Sequence, residues 1–207
     1  MPMARVNDVD IYYEVSGEGT PLVLSHSGWQ DVSSWENQVP TFSQRYKTIA
    51  YDRRGCGRSQ KEDISHSAEL WVEDLHQLLL HLGIDKAYIG GISFGGMITL
   101  EFVLRYPEMV KGAIIASANS EGFTSSSEHT ISFPRRTEEL HKIQTPVLLI
   151  AGTQDANFSP SKAEIAHKGI AGSEIVVLDC GHSVGRERPE EFNSAVLAFL
   201  DRVESEA

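Results

Sequence analysis

The chain has 207 residues, 41% of them apolar, with 29 Asp and Glu against 18 Lys and Arg and a formal charge of -11. That length suits a single domain of residues 1–207 burying roughly 70% of its unfolded surface, and the acidic balance argues against nucleic acid or an anionic membrane as partner. The 2 cysteines, Cys56 and Cys180, lack metal-ligand spacing and no apolar run approaches the roughly 18 residues that span a bilayer, so a soluble, cytoplasmic protein with free thiols and no basic-then-apolar leader is expected.

In chain order, "VDIYYEVSGEGTPLVLSHS" predicts two strands joined by a turn at 17–21. "YKTIAYDRRGCGRS" reads as a short strand entering a glycine-rich loop. Leu70, Trp71, Leu75, Leu78, Leu79 and Leu82 fall at helical spacing, with Gly83 placed to end the helix. "KAYIGGIS" is a strand, and "GGMITLEFVLRYP" a helix closed by Pro107. "VKGAIIASA", "TPVLLIAGTQD" and "SEIVVLDCGH" are three more strands, with a helix at "SKAEIAHKGI" between the last two. "RPEEFNSAVLAFLDRV" is a terminal helix with Pro189 near its start. Strand and helix alternate, and the later strands are near-continuous apolar runs. This predicts an α/β fold: a mostly parallel central sheet with helices on both faces. Asn119 to Glu139 breaks the rhythm, being polar, serine-rich and weakly periodic, and reads as a surface loop.

Four glycines, Gly90, Gly91, Gly95 and Gly96, bracket Ser93. Gly91-Ile92-Ser93-Phe94-Gly95 is a G-x-S-x-G pattern with a strand before it and a helix after it. A strand-to-helix turn that tight lifts the hydroxyl clear of the sheet and leaves the free N–H groups of the helix start beside it. Ser93 is therefore the candidate nucleophile rather than a simple helix cap.

A serine hydroxyl needs a base, and the base needs a group to fix its tautomer. Among 8 histidines, His182 stands apart because it follows the last strand in the loop before the terminal helix. His76, His81, His129, His141 and His167 sit in helical or polar stretches, and His66 lies at a helix entry. Asp155 follows the strand "VLLIAGTQD" and is the expected acid. Asp179 is its rival, but lies too near His182 in sequence to orient it easily.

These residues, in the order Ser93, Asp155, His182, resemble the α/β-hydrolase fold superfamily over nearly the whole chain. "SHSGW" at 25–29 is similar to that family's oxyanion loop, "YDRRGCGRS" to its D-x-R-G-x-G-x-S loop, and "GISFGG" to its nucleophile elbow. "AGTQDANFSP" is similar to the acid loop and "CGHSVGRERPEEFNSAVLAFL" to the histidine loop and last helix. Within the superfamily the opening resembles small esterases, peroxidase-active esterases and enol-lactone hydrolases.

The resemblance implies oxyanion N–H groups at Phe94 and Gly28, or Trp29 if the loop is shifted by one. Trp29 and Ser27 are implied as pocket residues. Two departures stand out. Ser27 occupies a position where many members have glycine, and the short stretch 119–139 stands where many members insert a cap domain. The site is therefore expected to be open. The expected activity is hydrolysis of a small carboxylic ester or lactone through an acyl-enzyme, with no cofactor and no metal; homo-oligomerisation is left open. The rival readings are a C–C bond or enol-lactone hydrolase of aromatic breakdown and, from another class, a small-molecule receptor on the same fold.

Overall fold

The computed structural model describes residues 2–61, 66–125 and 130–206. The chain opens with β1 (Met3–Val6) and β2 (Val9–Ser16), joined by a tight turn in which Asn7 and Asp8 both take positive φ, 45° and 61°. Positive φ at both central residues is the geometry that matches the twist of a hairpin. There follow β3 (Pro21–Ser25), α1 (Val39–Phe42), β4 (Lys47–Tyr51), the two-residue β5 (His66–Ser67) and α2 (Ala68–His81). Next come β6 (Ala87–Ile92), α3 (Phe94–Arg105), β7 (Val110–Ala116), β8 (Phe123–Thr124) and β9 (Ile131–Phe133). The chain ends with β10 (Val147–Gly152), α4 (Pro160–Gly169), β11 (Glu174–Leu178), α5 (Val184–Glu187) and α6 (Pro189–Ser205).

Eight strands form one sheet in the order β1-β2-β4-β3-β6-β7-β10-β11. From β4 onward every neighbour is parallel, and β1–β2 and β2–β4 are antiparallel. The two strands predicted on either side of residues 17–21 are both present, but they do not pair with each other. β2 lies beside β4, and β3 lies on the far side of β4.

The apolar runs of the central strands are explained by burial on both faces. In β3, Leu22 and Leu24 face a core shared with Phe192, Phe199 and Leu200 of α6, while Val23 faces the core built with Trp71, Leu75 and Leu79 of α2. β7 and β10 divide the same way: Ile114, Leu148 and Ile150 join the α6 side, and Ala113, Ile115, Val147 and Leu149 join the α2 side. Ser67 caps α2 by accepting the Leu70 N–H, and Gly83 follows with φ 65°.

Part of the stretch read as a surface loop is structured. Phe123–Thr124 and Ile131–Phe133 form a small three-stranded sheet with His66–Ser67, in the order β5-β9-β8. Ile131 and Phe133 are buried, and the Phe133 ring lies 5.7 Å from Trp71 and 5.3 Å from Phe94. Residues 126–129, including His129, lie outside the described residues. The return leg is tied down by Arg136, whose Nε donates to both carboxylate oxygens of Glu101 in α3 at 2.9 and 3.1 Å. Burial pushes the Glu101 carboxyl up, and Arg136 pulls it back. Among the described residues no helix is long and apolar enough to cross a membrane.

Candidate active site

Ser93 stands between the end of β6 and the first residue of α3, with φ 58° and ψ -118°. A side chain in so sparsely populated a region costs roughly 1–3 kcal/mol and persists only where the surroundings impose it. They do so here. The Ser93 N–H donates to the Ala116 carbonyl at 2.9 Å, which fixes the turn to the end of β7. A methyl group on Gly91 would lie 2.1 Å from the Gly95 carbonyl, and one on Gly95 would lie 2.1 Å from the Ser25 carbonyl. Glycine is thus required at both by backbone-to-backbone approach. The Phe94 N–H, first in the helix, has no acceptor among the described residues.

Asp155 and His182 are brought together by the loops after β10 and β11. The two groups are 2.6 Å apart, His182 Nδ1 to Asp155 Oδ2. The other carboxylate oxygen accepts the N–H groups of Asn157 at 3.0 Å and Phe158 at 2.9 Å, so the carboxylate is held from both sides. Asp155 is buried, whereas the His182 side chain is 36% exposed. Donation from Nδ1 leaves Nε2 with its lone pair, the form a base needs. Ser117, at φ 45° just beyond β7, donates its hydroxyl to the His182 carbonyl at 2.8 Å. Glu187 accepts the N–H groups on both sides of the histidine, from Gly181 at 2.8 Å and Ser183 at 3.0 Å.

Asp179, the rival acid, is turned elsewhere. It accepts from Thr153 Oγ1 at 2.9 Å and Gln154 Nε2 at 3.2 Å, bonds that hold its carboxyl below the usual range. No Ser93–His182 hydrogen bond is formed among the described residues; in triads this contact often tightens only around substrate.

The loop after β3 carries the other predicted residues. His26 is wholly buried. Its Nε2 accepts the Arg53 N–H at 3.0 Å and its Nδ1 donates to the Ser27 carbonyl at 2.8 Å. Burial, with Arg53 adding to it, holds its pKa well below the ordinary histidine value, so His26 is a neutral structural group. Ser27 does not take positive φ; that conformation falls on Gly28, at 21°. The serine is therefore accommodated without backbone strain. The N–H groups of Gly28 and Trp29 both lack an acceptor among the described residues, so either is free to serve as a donor. Trp29 is 58% exposed, and its ring lies edge-on to His66 and Trp71. Phe123, 38% exposed, packs on Phe94 at 5.3 Å.

Sequence reasoning missed Ser117 and Phe123, and it placed Arg53 only within a glycine-rich loop. Ser117 offered only its place after a strand, and Phe123 sat in a stretch without visible period. A cavity of about 300 Å³ lies away from Ser93, lined by Glu14, Val32, Trp35, Pro40, Thr48 and Arg58. It carries no nucleophile beside a base, so the side-chain chemistry, and not volume, locates the site. Among the described residues no group of three His, Cys, Asp or Glu is placed to hold a metal ion, and Cys56 and Cys180 are buried free thiols.

A strand-to-helix elbow carrying serine, a carboxylate–histidine pair on the two following loops, and this strand order together define a class of protein. The model of the alpha/beta hydrolase fold matches residues 20–136, more than half of the chain, and the protein belongs to that family. A putative carbamate hydrolase of Azorhizobium caulinodans is 24% identical over 264 aligned positions, covering 99% of this chain and 100% of the relative. A 3-oxoadipate enol-lactonase of Acinetobacter baylyi is 25% identical, with 94% of each chain covered. Among solved structures, an enol-lactonase from Burkholderia xenovorans superposes with a TM-score of 0.90 at 22% identity, covering 97% of this chain and 100% of that one. The 264 aligned positions exceed the 207 residues present here, so the Azorhizobium relative carries stretches with no counterpart in this chain.

Proposed function

We propose that the protein is a serine hydrolase of small carboxylic esters or lactones. The observation that carries this is the Asp155–His182 pair, 2.6 Å apart, on the loops after β10 and β11, in a chain that also carries Ser93 at a strand-to-helix elbow. His182 Nε2 takes the proton of the Ser93 hydroxyl as its oxygen bonds to the substrate carbonyl carbon. Asp155 holds Nδ1–H and stabilises the imidazolium that results. The carbonyl oxygen, now negative, is received by the N–H of Phe94 and by that of Gly28 or Trp29, each donor being worth roughly 3–4 kcal/mol in such sites. His182 returns the proton to the leaving oxygen, and the acyl-enzyme forms. A water deprotonated by His182 then releases the acid and restores Ser93. These steps use side chains, backbone N–H groups and one water.

Fluorophosphonate labelling with peptide mapping tests the nucleophile, paired with hydrolysis of p-nitrophenyl acetate. Label on Ser93, and loss of both label and hydrolysis in Ser93→Ala, are expected. A folded Ser93→Ala protein that keeps full activity would remove the assignment. A receptor that has lost its chemistry would fail to label at all.

A second reading, enol-lactone hydrolysis, is favoured by the relatives bearing that name in both the sequence and the structure comparisons. It employs the same groups. The ratio of kcat/KM for an enol-lactone and for a simple acetate ester separates the two.

A further inference from the structure

We infer that Arg53 is the positioning residue of the oxyanion loop, its guanidinium drawing the carbonyls of Ser27 and Gly28 inward so that the N–H groups of Gly28 and Trp29 point out toward the reacting carbonyl. This rests on the serine-hydrolase reading and adds a residue to it. Arg53 is 1% exposed and among the largest fully buried side chains. Its Nη1 donates to the His26 carbonyl at 2.9 Å, and its Nη2 donates to the carbonyls of Ser27, at 3.3 Å, and Gly28. The Ser27 carbonyl and the Gly28 N–H belong to one peptide, and the Gly28 carbonyl and the Trp29 N–H to the next. In a planar trans peptide these two groups point in opposite directions. Fixing both carbonyls on the guanidinium therefore fixes both N–H groups on the far side.

The charge of Arg53 is as informative as its shape. A buried arginine is ordinarily paired with a carboxylate. Its neighbour Arg54 follows that rule, meeting Asp74 at 2.9 Å through Nε and 2.7 Å through Nη2. Arg53 has no carboxylate partner among the described residues, and its Nε finds no acceptor. What it has instead is three carbonyl oxygens, the neutral thiol of Cys56, whose ionisation burial disfavours, and the face of Trp71, 5.0 Å from the ring centroid. Hydrogen bonds from a charged donor are stronger than neutral ones, and a peptide polarised at its oxygen becomes a better donor at its nitrogen. The negative charge that this cation lacks in the resting protein is the one that develops on the other side of the same two peptides.

Two substitutions test this. Arg53→Lys keeps a charge but loses the fork that holds two carbonyls, and Arg53→Met keeps the stem alone. With p-nitrophenyl acetate, kcat should fall about 10-fold in Arg53→Lys and about 100-fold or more in Arg53→Met, as expected when an oxyanion donor is misdirected, with KM little changed. An arylboronic acid, which forms a tetrahedral adduct on serine, should lose affinity in parallel with kcat. Damage to folding alone would lower the melting temperature without moving boronate affinity and kcat together. A folded Arg53→Lys or Arg53→Met protein with unchanged kcat, or with lowered kcat and undiminished boronate affinity, overturns the inference. In the wild type, boronate should shift the amide proton of Gly28 or Trp29 downfield, and the absence of a shift at both would also overturn it. Labelling of the wild type at Ser93 keeps the two failures apart. A wild type that labels at Ser93 while the Arg53 variants match it loses only the Arg53 role, and one that never labels loses the hydrolase reading and this inference with it.

Discussion

Ser93 holds a backbone conformation that its neighbours impose and that its own Cβ resists. Ser93→Ala keeps the Cβ and should abolish hydrolysis with little change in melting temperature. Ser93→Gly removes it and should be equally inactive yet more stable. Relief of roughly 1–3 kcal/mol of strain outweighs the roughly 0.5–1 kcal/mol by which glycine favours the unfolded chain. Thermal denaturation of the two variants side by side decides this, and a glycine variant that melts below the alanine one would mean that the elbow is not strained. For the acid, Asp155→Asn should reduce kcat about 10⁴-fold, because an amide does not hold the imidazole in the productive tautomer. Asp179→Asn should be mild, since Asp179 faces Thr153 and Gln154 and not His182. The reverse ranking in steady-state assays would move the acid to Asp179. The elbow at Ser93 and the meeting of Asp155 with His182 were legible because each residue follows a strand and the serine sits in a short local pattern. Arg53 and Ser117 were not, because their partners are carbonyl groups 25 to 65 residues away, and a carbonyl leaves no mark on sequence.

At the scale of the element, β6 and α3 meet only because Gly91 and Gly95 let backbone approach backbone. Gly95→Ala places a methyl group 2.1 Å from the Ser25 carbonyl, an atom at the end of a strand paired on both sides, which has nowhere to go. Overpacking of this kind costs about 1–3 kcal/mol, and the upper end is expected here. Labelling of Ser93 by fluorophosphonate should fall further than stability does, because α3 carries the Phe94 N–H away with it. A fully reactive Gly95→Ala protein would argue against a rigid elbow. The small sheet of β5, β9 and β8 was hidden in the sequence for a different reason. Ile131-Ser132-Phe133 does alternate, but three residues are too short a run to separate from a serine-rich loop. We propose that the stretch 119–139, with this sheet, stands in place of a cap, and that the rings of Trp29 and Phe123 form open walls near Ser93. Extra methylenes on an acyl chain are worth about 0.8 kcal/mol each only when buried, so kcat/KM should change little from acetyl to octanoyl esters. A steep rise along that series would show a deep acyl channel.

For the whole molecule, the apolar runs of β6, β7 and β10 announced a sheet covered on both faces, and that much of the fold was legible. The strand order was not, because β2 and β3 are neighbours in sequence but are separated by β4, and that choice is made by long-range packing and by no local residue. The same two-sided packing puts three phenols where they resist ionisation. Burial pushes Tyr46, Tyr51 and Tyr88 up to about 12, while in an unfolded chain each would titrate near 10. With the folded value above the unfolded one, their contribution to stability is fully present below pH 10 and is lost as pH rises through about 12. The acidic net charge works in the same direction, since self-repulsion grows as further protons leave. The melting temperature should therefore fall steeply above pH 10. Two variants resolve the cause. The Tyr51 hydroxyl donates to Ser25 Oγ at 3.2 Å, so Tyr51→Phe should lose about 1 kcal/mol at neutral pH as well as flattening the alkaline fall. The Tyr46 hydroxyl is buried without a hydrogen-bond partner among the described residues. Tyr46→Phe should cost nothing at neutral pH, or stabilise slightly, because it removes an unsatisfied polar group. Above pH 10 it should lose stability more slowly than the wild type, having one fewer phenol to ionise on unfolding. Melting curves of wild type and Tyr46→Phe collected from pH 8 to 12 should therefore diverge only in the upper part of that range, and curves that run parallel throughout would mean that Tyr46 ionises as readily in the fold as outside it.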